Sequence, residues 1–181
     1  MSTVYVALLR GINVGGNAKV EMPRLRALFE ELGFGDVKTY INSGNVVFSS
    51  SKGPGQLKAD IEAAIETEFH LTVPVVLRSR EEIAELLHNI PDAWVNNAVV
   101  KCDVMFLWPE LDTPAILERI PHRPEIEDVV YFPGAVVWRV DKKNVNRGQV
   151  LKIIGTDVYR KLTIRNPNTV RNLYAMMKDV E

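Results

Sequence analysis

Three short stretches carry the residue types that could hold a ligand. The first, Arg10-Gly11-Ile12-Asn13-Val14-Gly15-Gly16-Asn17, directly follows an apolar run. Glycine permits positive φ and close backbone approach, and Arg10 can pair with a carboxylate or a phosphate. This is not a P-loop, since no Gly-Lys-Ser/Thr follows. Nor is it a dinucleotide fingerprint, since the glycine spacing is wrong and no helix opens at once. The second stretch, Asn42-Ser43-Gly44-Asn45, has hairpin-turn composition. If it meets the first loop, Ser43 and Asn45 add neutral hydrogen-bonding groups near Arg10. The third is Thr163-Ile164-Arg165-Asn166-Pro167-Asn168-Thr169. Pro167 suits a first helical position and pushes Asn166 into the extended conformation of an N-cap. Free backbone N–H groups and the positive end of the helix dipole would then sit beside Arg165, a competent anion site.

The candidate ligand residues are therefore Arg10, Gly11, Asn13, Gly15, Gly16, Ser43, Asn45, Thr163, Arg165, Asn166 and Thr169. Each group also has a plain structural reading. These are a tight loop bonded to itself, an ordinary turn, and a capped helix whose Arg165 is paired to an acid. The set is rich in donors and poor in acids and bases, which favours holding an anion over general acid–base or nucleophilic catalysis. No catalytic residue can be named. His70, His88 and His122 are scattered without metal-ligand spacing, so no metal site is expected, and no cofactor. Cys102 lies in an apolar run and reads as a small hydrophobe.

The elements that must position these residues follow from periodicity. Val4–Leu9 reads as a strand rather than a signal peptide, having no basic leader or cleavage site. A helix enters through Pro23, with Leu25, Leu28, Phe29 and Leu32 on one face, and stops at Gly33 and Gly35. Val37–Ile41 and Val46–Ser50 are strands. The next helix presents Leu57, Ile61, Ala64, Ile65 and Phe69. Thr72–Arg78 is a strand, with Pro74 marking an edge. A short helix carries Ile83, Leu86, Leu87 and Ile90. The second half repeats the order: strand Val99–Trp108, helix Thr113–Ile120, a hairpin of Glu127–Phe132 and Ala135–Asp141 around Pro133-Gly134, and helical Gln149–Ile154. An extended piece, Tyr159–Ile164, then leads to a final helix, Pro167–Lys178. The order β-α-β-β-α-β is ferredoxin-like. The expected fold is α+β, two ferredoxin-like halves packed together, with a degenerate internal duplication suggested. The halves are placed at 1–92 and 98–181, joined through Pro91–Asn97.

Several strands are apolar at consecutive positions, so both sheet faces should be covered, the other half of the protein being one candidate cover. That argues against an RNA-recognition sheet with exposed stacking aromatics. The 181 residues carry a net charge of -1, but residues 1–138 sum to -7 and residues 139–171 to +7. The basic stretch is either an ordinary solvated face or a patch for an anionic partner. One cysteine excludes an intrachain disulfide and fits a reducing, cytoplasmic setting. No apolar run approaches a membrane span. Nothing in the sequence sets the oligomeric state.

Taken together, Arg10-Gly11-Ile12-Asn13-Val14-Gly15-Gly16, Lys19, Met22, Leu25, Tyr40, Ser43-Gly44-Asn45-Val46 and Phe48 resemble the bacterial DUF1697 family, of unknown function. Thr163, Arg165-Asn166 and Thr169 are similar to its C-terminal motif. The resemblance implies two α/β halves of ferredoxin-like character and supplies no activity, cofactor or catalytic residue. The family commonly has Trp after the Arg-Asn pair, where this chain has Pro167, which removes any stacking role there. Three functional expectations follow. The first is a cytoplasmic binding protein for a phosphate- or carboxylate-bearing ligand, extending to a nucleotide or to nucleic acid through residues 139–171. The others are an enzyme acting on a small anionic metabolite, and a structural protein whose motifs only maintain loops and caps.

Overall fold

Val4 to Leu9 form nearly all of strand β1 (Thr3–Leu9), and every one of those residues is buried. Around such a strand an element must lie on both faces, and the rest of the first unit follows from that demand. The computed structural model describes residues 1–180. It is a mixed α+β chain with two four-stranded antiparallel sheets and several helices. It divides into two compact units, Met1–Ile83 with the chain from Asn172 onward, and Ala84–Arg171. The end of the chain is tied to the first unit. Arg80 donates to the Val180 carbonyl (3.2 Å), and Asn172 Nδ2 donates to the Tyr40 hydroxyl (2.7 Å).

In the first unit, α1 (Met22–Glu31) buries Leu25, Leu28 and Phe29, the i, i+3, i+4 stripe of an amphipathic helix. Gly33, at φ +80°, stops it, where a side chain would be strained. β2 (Gly35–Tyr40) and β3 (Asn45–Ser50) form a hairpin, and α2 (Pro54–Phe69) buries Leu57, Ile61 and Ile65. β4 (Val75–Ser79) begins directly after Pro74, at an edge of the sheet order β2-β3-β1-β4. One sheet face packs Tyr5, Ala7, Leu9, Val46, Phe48 and Val75 against the two helices, with Phe29 edge-on and Phe34 stacked on Phe48. On the opposite face Val4, Val6, Leu8, Val47 and Val76 are buried as well. α3 (Arg80–Asn89) starts with a reciprocal capping box. The Ser79 N–H donates to Glu82 Oε2 (2.7 Å), and the Glu82 N–H donates to Ser79 Oγ (3.2 Å).

The second unit has the same strand order. β5 (Val100–Leu107), β6 (Glu127–Phe132), β7 (Ala135–Asp141) and β8 (Leu162–Arg165) lie as β6-β7-β5-β8. The strand-end bonds correspond too. Leu9 donates to Gly44 (2.8 Å) and Arg10 to Pro74 (3.0 Å), as Leu107 donates to Gly134 (3.0 Å) and Trp108 to Lys161 (3.2 Å). The helical cover differs from expectation. Thr113–Ile120 is a 3-10 turn, Pro114–Arg119, and Gln149–Ile154 is a 3-10 turn, Val150–Ile153. Each periodic stretch is too short to repay α-helix nucleation. The first is closed by Pro121, which disfavours helical geometry at Ile120, and the second by Gly155 at φ +88°. The segment expected to be extended from Tyr159 contains a single helical turn, α4 (Asp157–Arg160), before β8 begins. The last helix, α5, runs Pro167–Lys178 as expected. No helix among the described residues is long and apolar enough to cross a membrane.

A buried carboxylate holds the irregular segments down. Glu127 is 2% exposed and accepts from the backbone N–H groups of Arg123 (2.8 Å), Gln149 (2.9 Å) and Val150 (3.2 Å). Gly148 leaves room for it, since a Cβ there would lie 2.2 Å from Glu127 Oε1. Removing this acceptor strands several donors at once. Glu127→Ala is expected to lower unfolding free energy by about 3 kcal/mol in urea titration. A loss below about 1 kcal/mol would show that the three bonds do not anchor the segment.

Candidate functional site

β1 ends at Leu9, and the twelve residues that lead to α1 at Met22 are tied together by one side chain. Asn13 Nδ2 donates to the carbonyls of Val20 and Asn42, both at 2.9 Å, and its Oδ1 accepts from the Val20 N–H (2.8 Å). The amide thus joins the glycine loop, the entry to α1 and the turn between β2 and β3. Gly15 and Gly16, at φ +61° and +79°, form a two-residue reversal, closed by the Asn17 N–H donating to the Val14 carbonyl (3.1 Å). The two loops expected to meet do meet within this unit. Gly44 is the close-approach point: a Cβ there would fall 2.7 Å from side-chain atoms of Leu9 and Ile12.

The remaining first-unit candidates are placed as follows. Arg10 is half-buried at the end of β1, and Gly11 is exposed at φ +75°. Asn45 is fully buried, donating to the Tyr40 carbonyl and to Ser43 Oγ, both at 3.0 Å. Asn13 and Asn45 therefore act as internal ties of the corner.

An open hollow of about 320 Å³ lies in this corner, lined by Asn13, Gly16, Asn17, Lys19, Val20, Glu21 and Asn42. Sequence reasoning did not select Lys19, Asn17 or Asn42 as ligand residues. It also chose a different helix start. Glu21 is the N-cap of α1 and makes no side-chain capping bond, and no acid lies in the first turn. The N-cap residue Glu21 lines the hollow together with Lys19, so the hollow borders a helix start that has no side-chain cap. The available signal was negative: Glu21-Met22-Pro23 offers none of the small oxygen-bearing side chains that usually occupy an N-cap.

Thr163, Arg165, Asn166 and Thr169 belong to the second unit. Asn166 caps α5, its Oδ1 accepting from the Thr169 N–H (2.9 Å). Thr163 and Arg165 project from one face of β8, both buried. Among the described residues Thr163 Oγ1 has no hydrogen-bond partner. Arg165 donates to the Ile164 carbonyl (2.9 Å), and burial pushes its guanidinium down to about 10. Part of the basic stretch is engaged with its own unit. Arg139 pairs with Asp128 and Asp141, Lys161 with Glu110, and Arg171 donates to the carbonyls of Pro91 and Trp94. Asn168 ties the expected junction, exchanging bonds with the backbone of Asn96. Burial pushes the Cys102 thiol up to about 12, away from reactivity. No group of three His, Cys, Asp or Glu side chains among the described residues could hold a metal.

The profile of the family described as "Protein of unknown function (DUF1697)" matches residues 1–138. The chain belongs to this family. The hollow and both of its loops lie inside the matched span of the DUF1697 sequence, and the β8–α5 group lies beyond it. Among solved structures, the conserved bacterial protein SP0830 from Streptococcus pneumoniae is similar. The two are 28% identical, the match covers 98% of this chain and 99% of that one, and the TM-score is 0.84. No curated protein matches the sequence.

If Asn13 holds the corner together, Asn13→Ala should cost about 2 kcal/mol of stability and bring the 11–20 amides into fast hydrogen exchange. Unchanged protection of those amides would show that the loops are fixed by other contacts.

Proposed function

We propose that this DUF1697 protein is a cytoplasmic binding protein for a small phosphate- or carboxylate-bearing molecule, seated in the hollow at the start of α1. The observation that carries this reading is a hollow lined by Asn17, Lys19 and Asn42 at the entry to α1, whose N-cap Glu21 makes no side-chain capping bond. Helix N–H groups, a lysine and amide donors together suit an anion. Within the basic 139–171 stretch Arg139 and Lys161 pair with acids and Arg171 bonds to backbone carbonyls, which lessens the charge offered to a nucleic-acid partner.

We also infer two ferredoxin-like halves related by a degenerate duplication. The common strand order and the matching strand-end bonds support this. So does a pair of arginines. Arg78 lies opposite Val6 of β1, and Arg165 lies opposite Val104 of β5. Each donates to the carbonyl of its preceding residue, at 2.8 and 2.9 Å.

One residue in the hollow opposes an anion: the carboxylate of Glu21. It gives the test two signs. Calorimetric titration with inorganic phosphate, a sugar phosphate and a dicarboxylate should find one that binds. Lys19→Ala should then weaken it about fivefold to tenfold, and Glu21→Gln should tighten it by a similar factor. If neither substitution changes the affinity of a bound anion, the hollow is not its site. If no anion binds wild type, the reading fails.

A further inference from the structure

An open sheet has two edges, and each edge strand turns a row of backbone N–H and C=O groups away from its neighbour. The edges of the two sheets are β2 and β4, and β6 and β8. Three of them are blunted. β2 shifts register between Gly35 and Lys38, has Asp36 at φ +52° and carries a lysine. β4 follows Pro74, and its first N–H, that of Val75, donates to Glu62 Oε1 (2.9 Å). β8 is only four residues long. β6 has none of these devices. Its residues, Glu127 to Phe132, keep one unbroken register against β7 and include no Pro, Gly or Lys.

The bonding pattern identifies which β6 groups are unused. The Leu107 N–H donates to the Gly134 carbonyl (3.0 Å), one step beyond the Phe106–Ala135 pair. Alternation along an antiparallel strand then turns Val136, Trp138 and Val140 of β7 toward β5, and Ala135, Val137 and Arg139 toward β6. The partners of those three, Phe132, Val130 and Asp128, are the β6 residues that bond to β7. Val129 and Tyr131 therefore turn their N–H and C=O outward, and among the described residues nothing bonds to those groups. The outward row is bounded at both ends. The Glu127 N–H donates to the Arg123 carbonyl (2.8 Å), and Pro133 has no N–H. Between the two outward residues, Val130 is 38% exposed.

We propose that β6 pairs antiparallel with β6 of a second copy of this chain, joining the two sheets into one. The edge fits its own copy because its unused donors and acceptors are equal in number and self-complementary about a twofold axis. With Val130 on that axis, Val129 meets the partner's Tyr131, and every outward N–H of both strands reaches a carbonyl. Sliding by two residues one way sets Tyr131 opposite the partner's Glu127, whose N–H is taken. Sliding the other way sets Val129 opposite the partner's Pro133, which has none. The centred register also places Val130 against the partner's Val130 at a closely spaced, non-bonded position, about 4.5 Å between Cα atoms, and covers both. Charge agrees with it. Asp128 falls opposite the partner's Phe132 rather than another carboxylate, and Arg139 lies 3.6 Å from it in its own chain. This surface belongs to the second unit and is independent of the anion hollow of the first.

The test uses the full-length protein from about 5 to 500 μM, a range suited to a narrow interface. Sedimentation equilibrium should show monomer and dimer with a dissociation constant on the order of 100 μM. In ¹H–¹⁵N spectra the Val129 and Tyr131 amides should gain protection from hydrogen exchange as concentration rises, while the Val130 amide, bonded to β7, is protected throughout. Val130→Lys sets two ammonium groups against each other on the axis and should weaken the dimer at least about tenfold. Should that variant fail to fold, the wild-type amides decide. A protein still monomeric at about 500 μM would overturn the pairing. So would a dimer in which the Val129 and Tyr131 amides exchange as they do in the monomer, since its interface lies elsewhere.

Discussion

Double-sided burial of the central strands is the constraint from which the other features descend. Val4, Val6 and Leu8 are buried on one face of β1, and Tyr5, Ala7 and Leu9 on the other. β5 is buried in the same alternating way at Val104 and Phe106 on one face and Met105 and Leu107 on the other. Such runs contribute apolar surface at consecutive positions and leave little room for exposed chemistry on either side. In the first unit, polar groups therefore gather at strand ends and in the segments that follow them. The glycine loop leaves directly from Leu9, where the chain first reaches solvent, and it is there that the first unit gathers Lys19 and its amides. The same constraint rules out a sheet surface that reads bases by stacking, whatever the charge of the chain.

The two units show what happens when equivalent strands receive unequal cover. Both keep the order second-third-first-fourth, and both close their central strand with a donor to a glycine in the hairpin. The first spends a long connection on a continuous helix. The second spends a connection of similar place on turns, and must pin them by other means. Glu127 supplies those means from the start of β6, reaching backbone donors on both sides of it in sequence. Asp112 does the same for the Pro133-Gly134 hairpin, accepting from the Gly134 N–H (2.8 Å) and the Tyr131 hydroxyl (2.9 Å). Carboxylates bonded to backbone N–H groups replace the internal bonds that a helix would have made for itself. What remains is a hollow of about 180 Å³ beside Trp138, between the turns and the sheet.

Much of this was legible in the residues. Leu25-Leu28-Phe29 and Leu57-Ile61-Ile65 announce their helices because the apolar stripe runs long enough to nucleate them. Asn166-Pro167 announces a capped helix start because both residues restrict the backbone in the required way. The Ile116–Ile120 spacing misleads for a physical reason. Periodicity reports which side faces the core, and a 3-10 turn of the same direction satisfies that with fewer residues. The glycine loop and the Asn42–Asn45 turn were readable as a pair. Which of their polar residues would be consumed by the fold was not. Asn13 and Asn45 look like ligand donors in one dimension, and only the folded chain shows their amides bonded to backbone carbonyls, Asn13 to that of distant Asn42 and Asn45 to that of Tyr40 across its own hairpin. Conversely, Lys19 and the bare start of α1 carry no local signature, because an uncapped terminus is marked by what its sequence lacks.

Ile41 tests whether the first-unit corner is merely a well-built turn. It has φ +46° and is 53% exposed. A β-branched residue pays a steric penalty in that conformation, and an exposed one recovers little of it by burial. Glycine or asparagine would close the turn at lower energy. Val14, on the adjoining loop, is 66% exposed. Gly11, Asn13, Gly15, Gly16, Ala18 and Gly44 also adopt positive φ in these two loops. Ordinary turns need one or two such residues. A corner that collects this many, and leaves its aliphatic side chains facing solvent, has not been optimised for stability alone. Strain of this kind persists where the surrounding contacts over-determine the backbone, and the Asn13 amide and the close approach of Gly44 to Ile12 provide that determination. The ties and the strained backbone thus belong together: one holds the loops rigid, and the other sets the direction in which their amides and the end of α1 face.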